Sequence, residues 1–112
     1  MTIRKPTEAD VLRACLQLLR LRGVFAWRNN SGAVRVDRRL IKLAPPGTPH
    51  ILGVLPGGRL LAVEVKTATG KLRPSQRAWA EAARGLGAAV LLARSGGELD
   101  DQLKDLLRGP TL

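Results

Sequence analysis

The run HILGVLPGGRLLAVEVK, residues 50 to 66, constrains the fold more than any other part of the chain. Two stretches rich in Leu and Val flank Pro56-Gly57-Gly58, where proline pre-sets φ and the glycines accept positive φ, so the chain reverses into an antiparallel hairpin. If residues 56 to 58 form a three-residue loop, Leu55 faces Arg59, paired positions sum to 114, and His50 stands opposite Glu64. Directly opposed residues on one sheet face have Cβ atoms roughly 4.5 to 5.5 Å apart, close enough to share a ligand. A slip of one residue would send them to opposite faces.

Along RLLAVEVK, Leu61, Val63 and Val65 point to one face while Glu64 and Lys66 share the other. A charged pair among such neighbours is costly to desolvate unless something compensates it. Two readings stand open. One is a salt bridge on an edge strand. The other is a phosphodiesterase site, in which the carboxylate holds a hard divalent cation and the lysine orients or activates the attacking water.

The rest of the chain predicts one domain over residues 1–112, ordered helix, strands, helix, strand, helix. Thr7 and Asp10 are spaced as a capping box, followed by a stripe of Val11, Leu12, Cys15, Leu16 and Leu19, and Gly23 ends that helix. VFAW (24–27) reads as a strand, RNNSG as a turn, and AVRVDRRLIKL as a strand or an exposed basic hairpin. Pro74 suits the first turn of a helix carrying Gln76, Trp79, Ala83 and Leu86 at helical spacing, closed by Gly85 and Gly87. AAVLLA (88–93) is a buried-type strand, and Ser95-Gly96-Gly97 leads into an acidic amphipathic helix through Leu99, Leu103, Leu106 and Leu107.

Charge narrows the partner class. The chain has 19 Lys and Arg against 9 Asp and Glu, a net charge of +10, and four of the acids lie in the last fifteen residues. Residues 1 to 97 therefore carry 17 bases and 5 acids, mostly as arginine, whose planar fork matches phosphate. Nucleic acid is the expected partner; a basic surface serving only solubility or thermal stability is the alternative. A single Phe and no Tyr disfavour the base-stacking surface of an RNA-recognition module. The lone Cys15 excludes an internal disulfide and a cysteine zinc site, and reads as a small core residue. No apolar run approaches membrane-spanning length, so a soluble, intracellular (cytoplasmic) protein without membrane partners is expected.

The ordered series TEADVLRACLQLLRLRG, WRNNSG, GTPHILG, AVEVKTATGKLRPSQ and AW resembles the virus-type replication-repair nuclease (VRR-NUC) domain of the PD-(D/E)xK superfamily, from Thr7 to Ala93. The resemblance implies an α/β, restriction-endonuclease-like fold with a mixed central β-sheet flanked by α-helices. It implies a metal-dependent, structure-selective DNA endonuclease similar to small Holliday junction resolvases, using Mg2+ or Mn2+ on branched or duplex DNA as a homodimer. Glu8, Glu64 and the Val65 carbonyl would belong to one metal site, Lys66 would be the catalytic lysine, and Gln76 would support the water or a phosphate. Arg28, Asn29, Asn30 and Ser31 would meet the DNA backbone, with Arg35, Lys71, Arg73 and Arg77 as further phosphate contacts. The sequence departs from the family at His50, where members carry an aspartate. An imidazole there is a variant ligand that suits Mn, Zn or Ni better than Mg, a change that disables cleavage and leaves a DNA-binding module of nuclease fold, or an ordinary surface or core histidine with no role in the site. The dimer interface would come from AAVLLA or the acidic last helix.

Overall fold

The computed structural model describes residues 4–30 and 32–108, which form an α/β fold of three helices around a mixed central sheet. Helix α1 (Glu8–Leu21) begins at the expected capping box: the Asp10 N–H donates to Thr7 Oγ1 at 3.1 Å and the Thr7 N–H to Asp10 Oδ2 at 2.8 Å. These bonds, with Arg4 3.0 Å away, hold the Asp10 carboxyl down at about 2. The helix stops where Gly23 takes φ 71°.

Strands β1 (Phe25–Arg28), β4 (Ile51–Val54), β5 (Leu60–Val65) and β6 (Ala89–Ala93) make the central sheet in the order β1-β4-β5-β6, and β2 (Ala33–Val36) pairs with β3 (Arg39–Lys42) in a separate two-stranded sheet. β4 and β5 are antiparallel, with Ile51 paired to Val63 and Leu52 to Ala62, the register set by the Pro-Gly-Gly turn. The Leu55 N–H donates to the Arg59 carbonyl at 2.8 Å and closes it. β6 returns parallel to β5 through α2 (Pro74–Gly85). β5 is therefore central rather than an edge, which removes the edge-strand salt bridge from consideration.

Alternation along β5 sorts the core into two layers. Leu61, Val63 and Val65 pack with Val11, Leu12, Cys15 and Leu19 of α1 and with Leu99 and Leu103 of α3 (Gly96–Leu107). Ala62 packs with Ala80, Ala88 and Val90, joined by Leu52, Trp79 and Ala83, beneath α2. Burial raises the Cys15 thiol to about 11, as expected of a core residue. No helix among the described residues is long and apolar enough to cross a membrane.

Several local expectations shift. VFAW forms a strand one residue later than its motif, and as the sheet edge it leaves Phe25 and Trp27 exposed, ring to ring at 5.6 Å. Gly53 lets β1 lie close, since a Cβ there would stand 2.7 Å from the Phe25 carbonyl oxygen. Leu86 caps α2 and is 92% exposed instead of continuing the apolar stripe, because the helix ends before completing that turn. In the two segments expected to supply a dimer interface, Ala89 and Ala93 of β6 and Leu99 and Leu103 of α3 are core residues, while β6 is a sheet edge and Leu91, Leu92, Leu106 and Leu107 are partly exposed.

The register has a direct mutational signature. Leu61 is fully buried and its neighbour Leu60 is 39% exposed. Leu61→Ala should cost about 2–5 kcal/mol in urea denaturation and Leu60→Ala less than about 1 kcal/mol; a one-residue slip would reverse that order.

Candidate phosphodiester site

The hairpin register carries His50, one residue ahead of β4, to the same sheet end as Glu64 on β5. His50 Nδ1 lies 2.8 Å from Glu64 Oε1, and His50 Nε2 lies 2.9 Å from Glu8 Oε1 in the first turn of α1. Three segments far apart in sequence thus meet at one imidazole. Glu64 is 4% exposed and Lys66, just past the strand, is 6% exposed. Lys66 lies close enough to His50 for its charge to act on the ring.

Both ring nitrogens face carboxylate oxygens, an arrangement that favours the doubly protonated imidazolium, in which both are donors. The Val65 N–H also points at Nδ1, at 3.4 Å, a contact that would need Nδ1 as acceptor. The shorter, charge-assisted carboxylate contact prevails. The hydrogen bond to Glu64 raises the His50 pKa above 6.5; burial opposes it, the Glu64 and Glu8 charges add to it, and Lys66 opposes it.

Gln76, the third residue of α2, has a double role. Its Oε1 accepts from the Arg73 N–H at 2.8 Å, half of a capping box, which turns Nε2 toward Glu64 Oε1 at 3.3 Å. Glu64 Oε1 thus receives two donors, while the buried Glu64 Oε2 has no hydrogen-bond partner among the described residues.

A cleft of about 390 Å³ opens over this centre, lined by Glu8, His50, Glu64, Lys66 and Gln76 with Lys42, Thr48, Arg73 and Ser75. A shallower groove continues beyond His50 and Glu8 between Arg13 and Arg28. The wall at residues 45–48 rests on α2: Gly47, at φ 83°, lies so near that a Cβ would come 2.1 Å from the Ser75 carbonyl oxygen. The Thr48 hydroxyl donates to the Pro45 carbonyl at 2.6 Å and tightens that wall.

Of the site residues expected from sequence, Glu8, His50, Glu64, Lys66 and Gln76 converge. Val65 adjoins the centre, its N–H 3.4 Å from His50 Nδ1. Arg28 lines the second groove and Arg73 the first, while Arg35, Lys71 and Arg77 are exposed outside both. Asn29 is largely committed to structure: its side chain donates to the Pro49 carbonyl at 3.1 Å and its N–H to the His50 carbonyl at 2.7 Å, which locks the His50 loop to β1. Asn30 Oδ1 accepts the Gly32 N–H at 3.2 Å as a local turn. Ser31 lies outside the described residues. Sequence reasoning does not single out Lys42 or Arg13 as site residues: Lys42 sits at the base of a hairpin with no ladder to the central sheet, so strand pattern alone does not place it at the cleft, and Arg13 lies off the α1 stripe, lining the groove.

The donor set does not form a cage for a divalent cation in this arrangement. With the imidazole between them, Glu8 Oε1 and Glu64 Oε1 are roughly 7 Å apart by ordinary hydrogen-bond geometry, beyond twice the 2.0–2.6 Å reach of oxygen ligands. Among the described residues no three His, Cys, Asp or Glu side chains are grouped to hold one metal ion. No family model matches the sequence, and no curated protein or solved structure is significantly similar to it.

Because His50 is the only histidine, its titration is directly readable by NMR. Its midpoint should lie above 6.5, and Glu64→Gln should lower it toward the ordinary range. A raised folded-state pKa stabilises the fold fully below 6.5, and that contribution fades as pH rises through the folded value. Unfolding free energy should therefore fall as pH rises from 6.5 through the folded-state value in the wild type, and His50→Asn should flatten that limb.

Proposed function

We propose that this chain is a DNA-binding domain of restriction-endonuclease-like, VRR-NUC-like build, in which His50 holds the hydrolytic centre inactive. The observation that carries this reading is the imidazole wedged between Glu8 and Glu64 at 2.9 and 2.8 Å. Two carboxylates against one imidazolium and one ammonium leave the centre without net charge. The positive charge that a phosphodiester nuclease draws from a divalent cation is here supplied by the ring.

Binding itself draws on the remaining cations. Lys42 and Arg73 along the first cleft and Arg13 and Arg28 along the second form a basic track over the centre. A chain of net charge +10 gains affinity for a polyanion by counterion release. Contacts of this kind position a backbone without reading bases, which suits recognition of branched DNA by shape.

A second reading keeps the chain as a metal-dependent, structure-selective endonuclease, working as a homodimer on Holliday junctions with Mg2+ or Mn2+. It is favoured by one observation: Glu64 Oε2 is buried and has no partner among the described residues, an acceptor that a bound cation or a hydrogen-bond donor would satisfy.

Replacing His50 separates the two. His50→Asp exchanges the ring for a third carboxylate and leaves a deficit of two positive charges, the charge of Mg2+. On a four-way junction, both proteins should bind and only the Asp form should cut with Mg2+ or Mn2+, by at least roughly a hundredfold, the scale on which one charge-stabilising group acts in catalysis. Cutting by the unaltered chain would establish the second reading; cutting by neither form would remove the nuclease assignment.

A further inference from the structure

The hairpin β2–β3 is the part of the molecule that neither the core nor the carboxylate–histidine centre accounts for. It makes no ladder with the central sheet, and all eight of its strand residues are exposed. An isolated two-stranded sheet is marginal on its own in water, so its retention calls for something that rests on it. Its ten residues from 33 to 42 include Arg35, Arg38, Arg39 and Lys42 against the single acid Asp37.

The register fixes what each face offers. Ala33 pairs with Lys42 and Arg35 with Leu40, placing these four on one face; Val34 pairs with Ile41 and Val36 with Arg39 on the other. Ala33 and Lys42 also line the cleft over His50 and Glu64. The face bearing Arg35 is therefore continuous with the cleft wall. From there the ribbon runs on for four residues, roughly 13 Å at strand rise, to a turn where Asp37 takes φ 56° and Arg38 stands at the tip.

We infer that β2–β3 is a duplex-gripping arm. It lies in the major groove next to the phosphodiester seated in the cleft, with Arg35, Arg38 and Arg39 paired to phosphates of the two strands that border that groove. A major groove about 12 Å wide admits a two-stranded ribbon, and the arm's length carries its tip past the backbone of a single strand. Charge selects nucleic acid as the occupant. Val34, Val36 and Ile41 suit the sugar edges and thymine methyl groups that a groove presents. The arm would thus make the domain prefer double-stranded over single-stranded DNA. This rests on the DNA-binding reading above.

The test compares wild type with the triple variant Arg35→Ala, Arg38→Ala and Arg39→Ala, on a duplex and on a single strand of equal length, over a range of salt. All three side chains are exposed, and an unchanged circular dichroism spectrum and melting point control for folding. The variant should lose at least tenfold in duplex affinity, its log–log salt slope should shrink by about 3, one unit per lost phosphate contact, and its single-strand affinity should change much less. Equal duplex affinity and slope in the two proteins would overturn the arm, as would equal losses on duplex and single strand. Failure of the wild type to bind either DNA would instead bring down the DNA-binding reading beneath it. Sedimentation of Val34→Ser with Ile41→Ser covers the other occupant: a wild-type dimer split by that pair, with duplex affinity untouched by the arginine changes, assigns the hairpin to self-association and overturns the proposal.

Discussion

The carboxylate of Glu64 sits on the central strand of the sheet, nearly sealed from water, and the arrangement around it follows from the need to keep it charged there. An ionised carboxylate in such a place is costly unless hydrogen bonds and opposite charge meet it. Its partners come from separate parts of the chain. The hairpin turn at Pro56-Gly57-Gly58 brings His50 across from it. The start of α2 brings Gln76, already oriented by its bond to the Arg73 N–H. The start of α1 brings Glu8, which reaches Glu64 only through the ring of His50. Two helix N-termini and one strand pairing therefore converge on a single side chain.

Much of this was legible in the sequence because it depends on short-range rules. Pro-Gly-Gly between two apolar runs sets a loop length, loop length sets register, and register alone places His50 at Glu64. Thr7 and Asp10 likewise announce where α1 begins, and so where Glu8 points. What the sequence left open depends on contacts it does not encode locally. The order of atoms at the centre, with the ring between the carboxylates rather than beside them, follows from how α1 packs against the sheet. Asn29 read as a rim residue because amide-rich turns are usually exposed; here β1 runs beside the His50 loop and uses that amide to hold it. Leu86 read as a helix-face residue because periodicity does not mark the last turn.

Two regions of apolar exposure outside the site have a structural cause. Phe25 and Trp27 face outward because α2 covers the β5 and β6 side of its sheet face and does not extend over β1. The apolar residues of β2 and β3 face outward because that ribbon has no second layer at all. The basic residues follow a different logic. Lys42, Arg73, Arg13 and Arg28 border the clefts and Arg35, Arg38 and Arg39 belong to the ribbon, whereas Arg59, Arg84 and Arg94 bond backbone carbonyls and Asp100 of α3 holds Arg22 in a bidentate pair at 2.7 and 2.9 Å. That pairing raises the Arg22 pKa, lowers that of Asp100, and removes Arg22 from the set free to meet an anion.

Charge balance at the centre links structure to activity more tightly than the identity of any one residue. An imidazolium and a divalent cation answer the same demand, since each offers positive charge to Glu8 and Glu64, but they differ in what they do to a phosphate and a water. A ring whose two N–H groups are both spent on carboxylates has no donor left to polarise a phosphoryl oxygen and no vacant position to bind the attacking water. Under the proposed reading, that ring satisfies the fold and withholds the chemistry, and the side chain at position 50 decides between two charge states of one scaffold. With histidine the centre is neutral and closed on itself; with an acid the same backbone would carry a charge deficit that only an external cation fills. Lys66 and Gln76 already stand at the centre with histidine in place, so their presence speaks for the architecture of the site and does not by itself argue for cleavage.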